Sequence, residues 1–494
     1  MSSQGGALYI AGESEVDIQQ SLFQNNKARF KGGAIFSEGF KSIYVGNQTI
    51  FKDNFAVDQG DDIYLTGSLN LISIDNVKVT NIDAKNSIFI EQAKLSSNQL
   101  QIKNIYRKRD SERGSGIYCQ YCNGLQIINS SFLDLRSKYG GAIYIIEQDI
   151  AKSLSYDENS FKFQIENSYF SNCSAEQGGA LMLDNIESII IKNTQFIGNQ
   201  AKSITQYQSH AVDPATGGAI YYSCNEEILN CRLKFEGINN FKLNYAQVKG
   251  GAIYWSSLEP EYNDINLNFI NNTGFLYGDN FACYAQNLVS LTAKQSGGSV
   301  PILFIALIDK YGQILGSDST KGSSDFQVEG GIAVIQDVII AGTPGSTYNI
   351  KFSTDGIDVN KISNKQAIKK LNQLDLDFNL SIDLRECFEG EQFTSAGKCI
   401  ECQDNTFSLV KMKQPGSCEI CPPDKAICIS GANIGPLPGY WRKTQESASK
   451  ATKAYFVQIV KMIIQEIMVF NVKNVLKIGL IHQGYVQLLL EQFY

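Results

Sequence analysis

Six cysteines lie close together in the carboxyl-terminal third of the chain, and their spacing fits two kinds of chemistry. The pattern C-x2-C-x15-C-x2-C within this group is typical of zinc ribbons, in which four thiolates complete a tetrahedral set of ligands. The same six residues can instead form three disulfides in a small, loop-rich module. We favour disulfides over zinc, and we expect neither a metal nor a cofactor. The six candidates are Cys387, Cys399, Cys402, Cys418, Cys421 and Cys428.

Charged side chains supply a second set of candidates, because carboxylates that converge within roughly 5–10 Å can act as general acid and base. Both available groups are more typical of solvated turns, and the two histidines, His210 and His482, are too far apart in sequence to indicate a metal site. We therefore predict a protein that is not an enzyme and has no catalytic residues. The two charged groups are Asp58, Asp61 and Asp62, and Arg107, Lys108, Arg109 and Asp110.

The composition argues against several classes of protein. Of the 494 residues, 43% are hydrophobic and 19% are charged, which is typical of globular chains. A formal charge of −7 argues against nucleic acid as a partner. No window of the sequence approaches the ~18 consecutive apolar residues of a membrane span.

The elements that must position these residues follow from a repeat. Gly-Gly-Ala recurs, with 27 residues between Gly5 and Gly32, and a weaker version follows 28 residues later at Gly60. Phe-x-x-Asn begins nine residues before the glycines in several copies. Between these motifs, β-branched and aromatic residues alternate with polar ones, which indicates short strands. Strands repeated at this interval without a helical period predict a parallel β-helix over residues 1–287. The repeat residues are Phe23, Asn26, Gly32, Gly33, Phe51, Asn54, Phe196, Asn199, Phe241, Asn244, Gly250, Gly251, Phe269 and Asn272.

The residue types of the repeat fit coils that stack about 4.8 Å apart. The phenylalanines are expected to form an aromatic ladder in the core, and the asparagines a ladder of amides at a turn. The glycines allow a positive φ, or a close approach of backbone that a Cβ would prevent. We therefore interpret the motif as structural.

Together, the Gly-Gly-Ala and Phe-x-x-Asn motifs resemble the polymorphic outer-membrane protein repeat, and similar repeats occur in large surface proteins of protists. The resemblance implies a right-handed parallel β-helix of the pectin-lyase-like class. The chain departs from the family pattern at Leu135 and Cys173, which stand where Asn is expected, and residues 64–113 carry no clear copy of the repeat. Because the sequence opens inside a repeat, we also expect that the N-terminus is incomplete.

The chain changes character after the repeat. Residues 288–385 contain β-runs broken by Gly and Pro-Gly, and they resemble an immunoglobulin-like β-sandwich in architecture. Residues 386–441 hold the six clustered cysteines and resemble the cysteine-rich modules of growth-factor and ephrin receptors. For the tail, residues 442–494, two interpretations stay open, a helical segment and a frame artefact. The predicted fold class is all-β: a β-helix, a sandwich and a disulfide-rich module.

The resemblance implies an extracellular or cell-surface protein that acts in adhesion or recognition. Its inserts, residues 144–165 and 200–216, would bind a surface protein or a glycan, and any membrane association would come from a region outside this chain. The alternative is a lyase or hydrolase acting on polysaccharides, because the pectin-lyase fold also hosts such enzymes. Five Asn-x-Ser/Thr sequons would be glycosylation sites in a secreted chain. They lie at Asn47, Asn129, Asn172, Asn271 and Asn379.

Overall fold

The protein forms two compact units, which we describe separately. The first comprises Met1–Ala293, Ile302–Gln336 and Lys351–Asn379, and the second comprises Lys294–Pro301, Asp337–Ile350 and Leu380–Tyr494. The structure, a computed structural model, describes residues 2–67, 71–82, 84–104, 111–147, 161–203, 214–224, 231–256, 258–290, 303–316, 328–335, 342–372, 375–424 and 426–437.

Three long parallel sheets form the first unit, and successive strands of the chain pass from one sheet to the next. Sheet 1 contains Leu8–Ala11, Ile35–Glu38, Ile63–Thr66, Ile88–Glu91, Ile117–Gln120, Ile143–Ile146, Leu181–Asp184, Ile220–Ser223, Ile253–Trp255 and Phe281–Ala282. Sheet 2 contains Glu15–Gln19, Ser42–Gly46, Leu71–Asp75, Lys94–Asn98, Gly124–Ile128, Phe163–Glu166, Ser188–Lys192 and Arg232–Glu236. Sheet 3 contains Leu22–Gln24, Ile50–Lys52, Lys78–Asn81, Gln101–Asn104, Ser131–Leu133, Tyr169–Ser171, Gln195–Ile197, Asn239–Lys242 and Leu267–Ile270.

Strands at the corner after sheet 3 complete most of the coils; among the described residues, none follows Lys78–Asn81, Gln101–Asn104 or Ser131–Leu133. They form a three-stranded and a four-stranded sheet, which we call sheet 4. The predicted parallel β-helix is therefore confirmed, with coils stacked strand on strand. The strands of sheet 4 are Ser2–Gln4, Lys27–Lys31, Phe55–Ala56, Ser174–Ala175, Gln200–Ala201, Tyr245–Ala246 and Thr273–Gly274.

Alternation along each strand explains why these segments fold as β-coils. In sheet 1, Ile63 and Leu65 are buried in the core, and Ile63 pairs with Ile88 of the next coil. A strand directs successive side chains to opposite faces, so apolar residues at every second position of every coil build one continuous core.

Phenylalanine side chains from sheet 3 stack along the interior. The rings of Phe132, Phe170 and Phe196 lie 4.9–5.0 Å apart, centroid to centroid, with planes inclined by 8° or less. In two coils the aromatic position is taken by Val79 and Ile102, which pair in register with the phenylalanine positions above and below. The ladder therefore continues through these coils as packed aliphatic side chains.

A second aromatic ladder lies on the outer side of sheet 1. Phe36, Tyr64 and Phe89 alternate with the core residues, and their ring centroids are separated by 5.3 and 4.7 Å. These rings are nonetheless buried, partly because Lys31 covers Tyr64 and donates a 2.6 Å hydrogen bond to its hydroxyl. Nothing in the repeat motif predicts this ladder.

The asparagines of the repeat connect each coil to the next. The Asn244 Oδ1 atom accepts hydrogen bonds from the backbone N–H and the Nδ2 of Asn199, both at 3.0 Å. The Asn244 amide in turn donates to the Phe196 carbonyl and to Asn272. Because the side chain is buried, these bonds replace the water that its polar atoms lose on folding.

The paired glycines allow coils to approach closely. Gly32 has a φ of +66°, and a Cβ on Gly33 would lie 2.0 Å from the Asp61 carbonyl oxygen of the next coil. The first glycine therefore supplies a backbone conformation, and the second leaves room for the neighbouring backbone.

The described residues between 64 and 113 form regular coils, although the sequence shows no clear repeat there. Their strands in sheet 3 are Lys78–Asn81 and Gln101–Asn104, in which Val79 and Ile102 replace the phenylalanine. Asn81 and Asn104 follow the aliphatic residue by two positions rather than three, so the Phe-x-x-Asn pattern misses both coils.

An antiparallel sheet follows the last coil within the same unit. Tyr311 accepts a 3.0 Å hydrogen bond from Trp255 Nε1 and stacks on Phe281, so the loop after Leu303–Ile308 contacts the end of the core. The strands are antiparallel, whereas the packing of an immunoglobulin-like sandwich over 288–385 stays a prediction. The sheet contains Asn287–Ser290, Leu303–Ile308, Val328–Glu329 and Ile332–Ile335, and Thr347–Phe352 forms a two-stranded sheet with Phe378–Asp383.

The helical elements are few among the described residues. A helix spans Ile362–Leu371, and a short 3-10 helix spans Asp264–Asn266. Neither described helix has the length and apolarity that a membrane crossing would require. The tail, residues 442–494, lies outside the described residues, so both of its interpretations stay open.

The cysteine-rich region forms three disulfides between cysteines that follow one another in sequence. This arrangement divides the four cysteines of the zinc-ribbon pattern among three covalent pairs, so they cannot act together as thiolate ligands. Cys387, Glu391 and Cys399 do place three potential ligand atoms within 4.8 Å, but the two sulfurs are bonded to each other and Glu391 pairs with Arg385. The pairs are Cys387–Cys399, Cys402–Cys418 and Cys421–Cys428.

Hairpins support these disulfides. Apolar packing in this part is small and centres on Phe407 beside Cys421 and Cys428. Because so small a core stabilises little, the covalent pairs must hold the module together. The strands are Glu391–Phe393 with Cys399–Glu401, Thr406–Phe407 with Glu419–Ile420, and Ala426–Ser430 with Asn433–Pro436.

Replacing Asn244 with alanine should lower the free energy of unfolding by about 2–4 kcal/mol, because it leaves buried donors of Asn199 without an acceptor. Urea denaturation followed by circular dichroism measures this loss. Asn268→Ala is the matched control: its exposed amide donates to Asn240 in the preceding coil, and its loss should cost less than about 0.5 kcal/mol. Equal losses in the two variants would contradict a stabilising role for the buried ladder.

Counting thiols tests the disulfides and the zinc alternative together. Alkylation in denaturant should label two thiols per chain, Cys173 and Cys283, before reduction and all 12 cysteines after it. Zinc assayed on the same sample should be absent. Free thiols in the 387–428 cluster together with one bound zinc would show that the module is a zinc ribbon.

Candidate functional site: the insert corner

The corners of the coil differ in how much chain they accept. Between sheets 2 and 3, every connection has two or three residues, for example 167–168 and 193–194. Buried side chains explain this uniformity: the Ser168 hydroxyl accepts a hydrogen bond from the Ser130 N–H at 3.2 Å, and the Ser168 N–H donates to Thr194 at 3.4 Å. An insertion there would break the ladder.

Between sheets 1 and 2 the connections vary much more. We call the part of this corner formed by residues 147–162, 185–187 and 224–231 the insert corner. The first and third connections are long, and the middle one is a tight turn. Their strands are neighbours in sheet 1, so the two long inserts leave the stack about 10 Å apart.

An ion pair closes the base of the first insert. Glu147 and Lys162, at its two ends, are in direct contact, and Glu147 also accepts a 2.5 Å hydrogen bond from the Glu187 N–H in the next coil. Glu147 is only 6% exposed. Burial raises the pKa of Glu147, and the neighbouring Lys162 ammonium opposes that rise. The pair therefore holds both ends of the insert against the stack.

A disulfide closes the base of the second insert. Cys224 and Cys231 are buried and bonded to each other, with Cα atoms 6.0 Å apart. Directly after this disulfide, the Arg232 guanidinium lies 4.8 Å from the ring centroid of Phe161, which belongs to the base of the first insert. Arg232 also forms a bidentate ion pair with Glu261. The bases of the two inserts are thus in contact.

Polar side chains tie three successive coils together between the inserts. The Asp184 carboxylate accepts hydrogen bonds from the Tyr144 hydroxyl at 3.1 Å and from the Ser223 hydroxyl at 2.8 Å. These residues come from the coils before, at and after the tight turn 185–187. The surface between the inserts is therefore both polar and firmly held.

Carboxylates and cations at the insert corner are used mainly for internal contacts. Glu147, Asp184 and Glu261 each accept a hydrogen bond or ion pair from a neighbouring coil. A rigid base with mixed charge suits the presentation of loops for recognition. Of the two predicted binding inserts, 144–165 lies at the insert corner, whereas 200–216 connects sheet 4 to sheet 1 at a different corner. Residues 148–160, 204–213 and 225–230 lie outside the described residues.

The sequence-predicted charged candidates do not gather at this corner. Asp58 is exposed, whereas Asp61 and Asp62 are buried in a turn of the stack. The Asp61 carboxylate accepts hydrogen bonds from the Ala56 and Lys85 backbone N–H groups, at 2.8 and 2.6 Å. The second charged group and both histidines lie outside the described residues. These are Arg107, Lys108, Arg109, Asp110, His210 and His482.

Asp62 occupies the position that alanine takes in most repeats. Its carboxylate accepts hydrogen bonds from Asn54 Nδ2 at 2.8 Å and from Asn81 Nδ2 at 2.6 Å. Burial raises the pKa of Asp62 to about 7, and the hydrogen bonds from Asn54 and Asn81 oppose that rise. The description of Asp61 and Asp62 as solvated turn residues is therefore wrong: both lie in a turn, but both are buried.

All five sequon asparagines are exposed. Asn47 and Asn129 lie at the corner between sheets 2 and 3, and Asn172 and Asn271 at the corner between sheets 3 and 4. These four have φ between 49° and 54°, which is the left-handed region that Asn adopts more readily than most residues. Glycosylation of these residues stays a prediction.

The residue pairs that close the bases of the two inserts, Glu147–Lys162 and Cys224–Cys231, leave a signal in the sequence that lies outside the repeat motif. Oppositely charged residues flank the first insert, and two cysteines flank the second. Such pairs at the ends of a polar insertion indicate a closed loop base. The contact of Arg232 with Phe161 had no comparable signal, because the two residues lie far apart in sequence and meet through stacking.

Asp62 predicts a pH dependence of stability. Its pKa is higher in the folded chain than the ~3.9 of an unfolded aspartate, so folding binds a proton between these values and stability falls as pH rises from about 4 to about 7. The effect is at most about 4 kcal/mol. The denaturation midpoints of wild type and Asp62→Asn are measured across this range. If the variant is less stable than wild type at low pH, the two midpoints should converge as the pH rises. If it is more stable at low pH, they should diverge in its favour.

The test compares how the stability of each of the two proteins changes with pH. Other groups titrate in both proteins, so only the difference between wild type and Asp62→Asn reports on this carboxyl. A difference that does not change with pH would show that Asp62 ionises normally in the folded chain.

Comparison with known proteins gives one short match. Residues 20–38, which contain Phe23, Asn26, Gly32 and Gly33, match the family model of the Chlamydia polymorphic membrane protein repeat. No curated protein and no solved structure matches the chain. The resemblance of the cysteine-rich module to growth-factor and ephrin receptors stays a prediction. One repeat of the solenoid is thus similar to a repeat found in that membrane protein family.

Proposed function

We propose that the chain is a non-enzymatic recognition or adhesion protein of the cell surface, which binds a surface protein or a glycan through the insert corner. The observation that carries this proposal is the pair of inserts with closed bases, which lie on two coils separated by a single coil. Glu147–Lys162 and Cys224–Cys231 fix the ends of two loops that the stack itself does not need. Loops on a rigid scaffold are where proteins usually place their binding residues.

Two further observations support a surface location. The family whose repeat resembles residues 20–38 is a family of membrane proteins by its printed description. The five disulfides of the chain are typical of an oxidising compartment, such as the cell exterior. Together they support secretion or surface display over residence in a reducing compartment.

Replacing the first insert tests the proposal. In this variant, residues 147–162 give way to Asn185-Ile186-Glu187, the turn that connects the same two sheets in the next coil. Binding is measured on an array of polysaccharides and extracellular-matrix proteins. We expect wild type to bind at least one component, and the variant to lose at least tenfold in affinity because the insert supplies the contacts.

The control replaces the other predicted binding insert, which lies at a different corner and which this proposal does not assign to the binding site. Residues 202–216 are exchanged for residues 247–249, which make the same connection in the next coil, and circular dichroism checks that both variants fold. If the two replacements weaken binding equally, the insert corner is not the site. Release of new reducing or unsaturated sugar ends from any polysaccharide would instead favour the alternative, a lyase or hydrolase.

A further inference from the structure

We propose that the solenoid carries N-linked glycans along both edges of sheet 3, by which we mean its corners with sheet 2 and with sheet 4. One side of the stack is then covered, and the insert corner is left open. The acceptors are the side-chain amides of Asn47 and Asn129 on one edge and of Asn172 and Asn271 on the other. The claim that the glycans leave the binding face open rests on the proposed function, whereas the claim that these asparagines are glycosylated does not.

The acceptors stand on turns that project from the stack. Each one has a left-handed backbone conformation at the tip of a corner and an exposed side chain. The asparagines of the core ladder differ: the Asn244 amide is buried and donates to both Phe196 and Asn272. A sugar could not be attached to that nitrogen without breaking the ladder.

Glycosylation is compatible with the contacts of the exposed amides. The amide nitrogen bonds to the anomeric carbon of an oligosaccharide carried on a polyprenyl diphosphate. The bond from that carbon to the diphosphate oxygen breaks, the polyprenyl diphosphate leaves, and the amide releases one proton. The nitrogen keeps its other proton. The hydrogen bonds from Asn47 to Gln19, at 2.6 Å, and from Asn129 to Asn98, at 2.9 Å, can therefore persist.

The distribution of sequons separates the two sides of the coil. All four solenoid sequons border sheet 3, while connections 147–162, 185–187 and 224–231 contain none. A glycan is bulky and strongly hydrated, so it prevents protein contacts over the surface around it. Ligands would then reach the insert corner but not the outer face of sheet 3.

Site occupancy tests the modification. The full chain is secreted from eukaryotic cells behind a cleavable leader, and a peptide N-glycosidase in ¹⁸O water marks each glycosylated asparagine for mass spectrometry. The four solenoid acceptors should be occupied in most molecules. Asn193 is the control, because it has the same left-handed turn but no sequon, and it should be unmodified. Unmodified acceptors in a secreted chain with its disulfides formed would overturn the proposal.

A displaced glycan tests the covered and open sides. Glu187→Ser creates a sequon at Asn185 in the insert corner, and Gln195→Ser creates one at Asn193 on the edge of sheet 3. With the array ligand bound by wild type as probe, the first change should weaken binding at least tenfold and the second should not. If Glu187→Ser and Gln195→Ser weaken binding equally, or if binding becomes stronger after the natural glycans are removed, the assignment of a covered side and an open insert corner is overturned.

These results separate the two proposals. If the natural acceptors are occupied but wild type binds no component of the array, the recognition function fails and the modification stands. If wild type binds but its acceptors are unmodified, the modification fails and the recognition function stands.

Discussion

The structure depends on in-register contact between one coil and the next. Asn54, Asn244 and Asn272 each accept a hydrogen bond from the Asn of the coil before and donate to the carbonyl of a phenylalanine. Asn199 accepts instead from the Cys173 N–H. Where the paired glycines stand, the backbones of two coils approach so closely that a Cβ would overlap the neighbouring chain. These contacts leave little freedom in the height or rotation of a coil, and every other feature is built on that constraint.

This constraint decides where the chain can grow. At the corner between sheets 2 and 3, the hydroxyls of Ser168 and Thr194 bond to backbone N–H groups of the preceding coils, so each connection must keep its length. Between sheets 1 and 2, the described residues of the insert corner form no such ladder of hydroxyls. Long inserts are accommodated there once their ends are joined, by Glu147 and Lys162 in one coil and by a disulfide in another. Connections of very different length therefore occur at the insert corner and, at residues 202–216, between sheets 4 and 1, but not between sheets 2 and 3.

Variation within the repeat follows the same requirement for paired polar groups. In one coil Asp62 replaces the usual alanine, and its carboxylate receives the amides of Asn54 and Asn81. In the next, Ser87 takes the same position and accepts from Asn81. A polar residue enters this buried position together with an asparagine whose amide can reach it, because an unpaired polar group would cost about 1–3 kcal/mol.

The sequence by itself determined the β-helix, the disulfide-rich module and the class of turn at each Gly-Gly. These features are local: a period-two strand, a glycine with positive φ and a cysteine cluster can each be recognised within a few residues. The Phe-x-x-Asn pattern does not predict the coils at Val79 and Ile102, because the core needs only an apolar side chain of suitable size at that position and does not require phenylalanine.

Only the tertiary structure decided which residues meet across coils. Asp61 and Asp62 are buried partly by residues of the following coil. The pairing of Glu147 with the Glu187 backbone and the contact of Arg232 with Phe161 join residues whose separation in sequence depends on insert lengths. Stacking brings such residues together through the register of the coils. A linear pattern does not encode that register wherever the repeat is interrupted, so the contacts between coils at the insert corner are decided only in the fold.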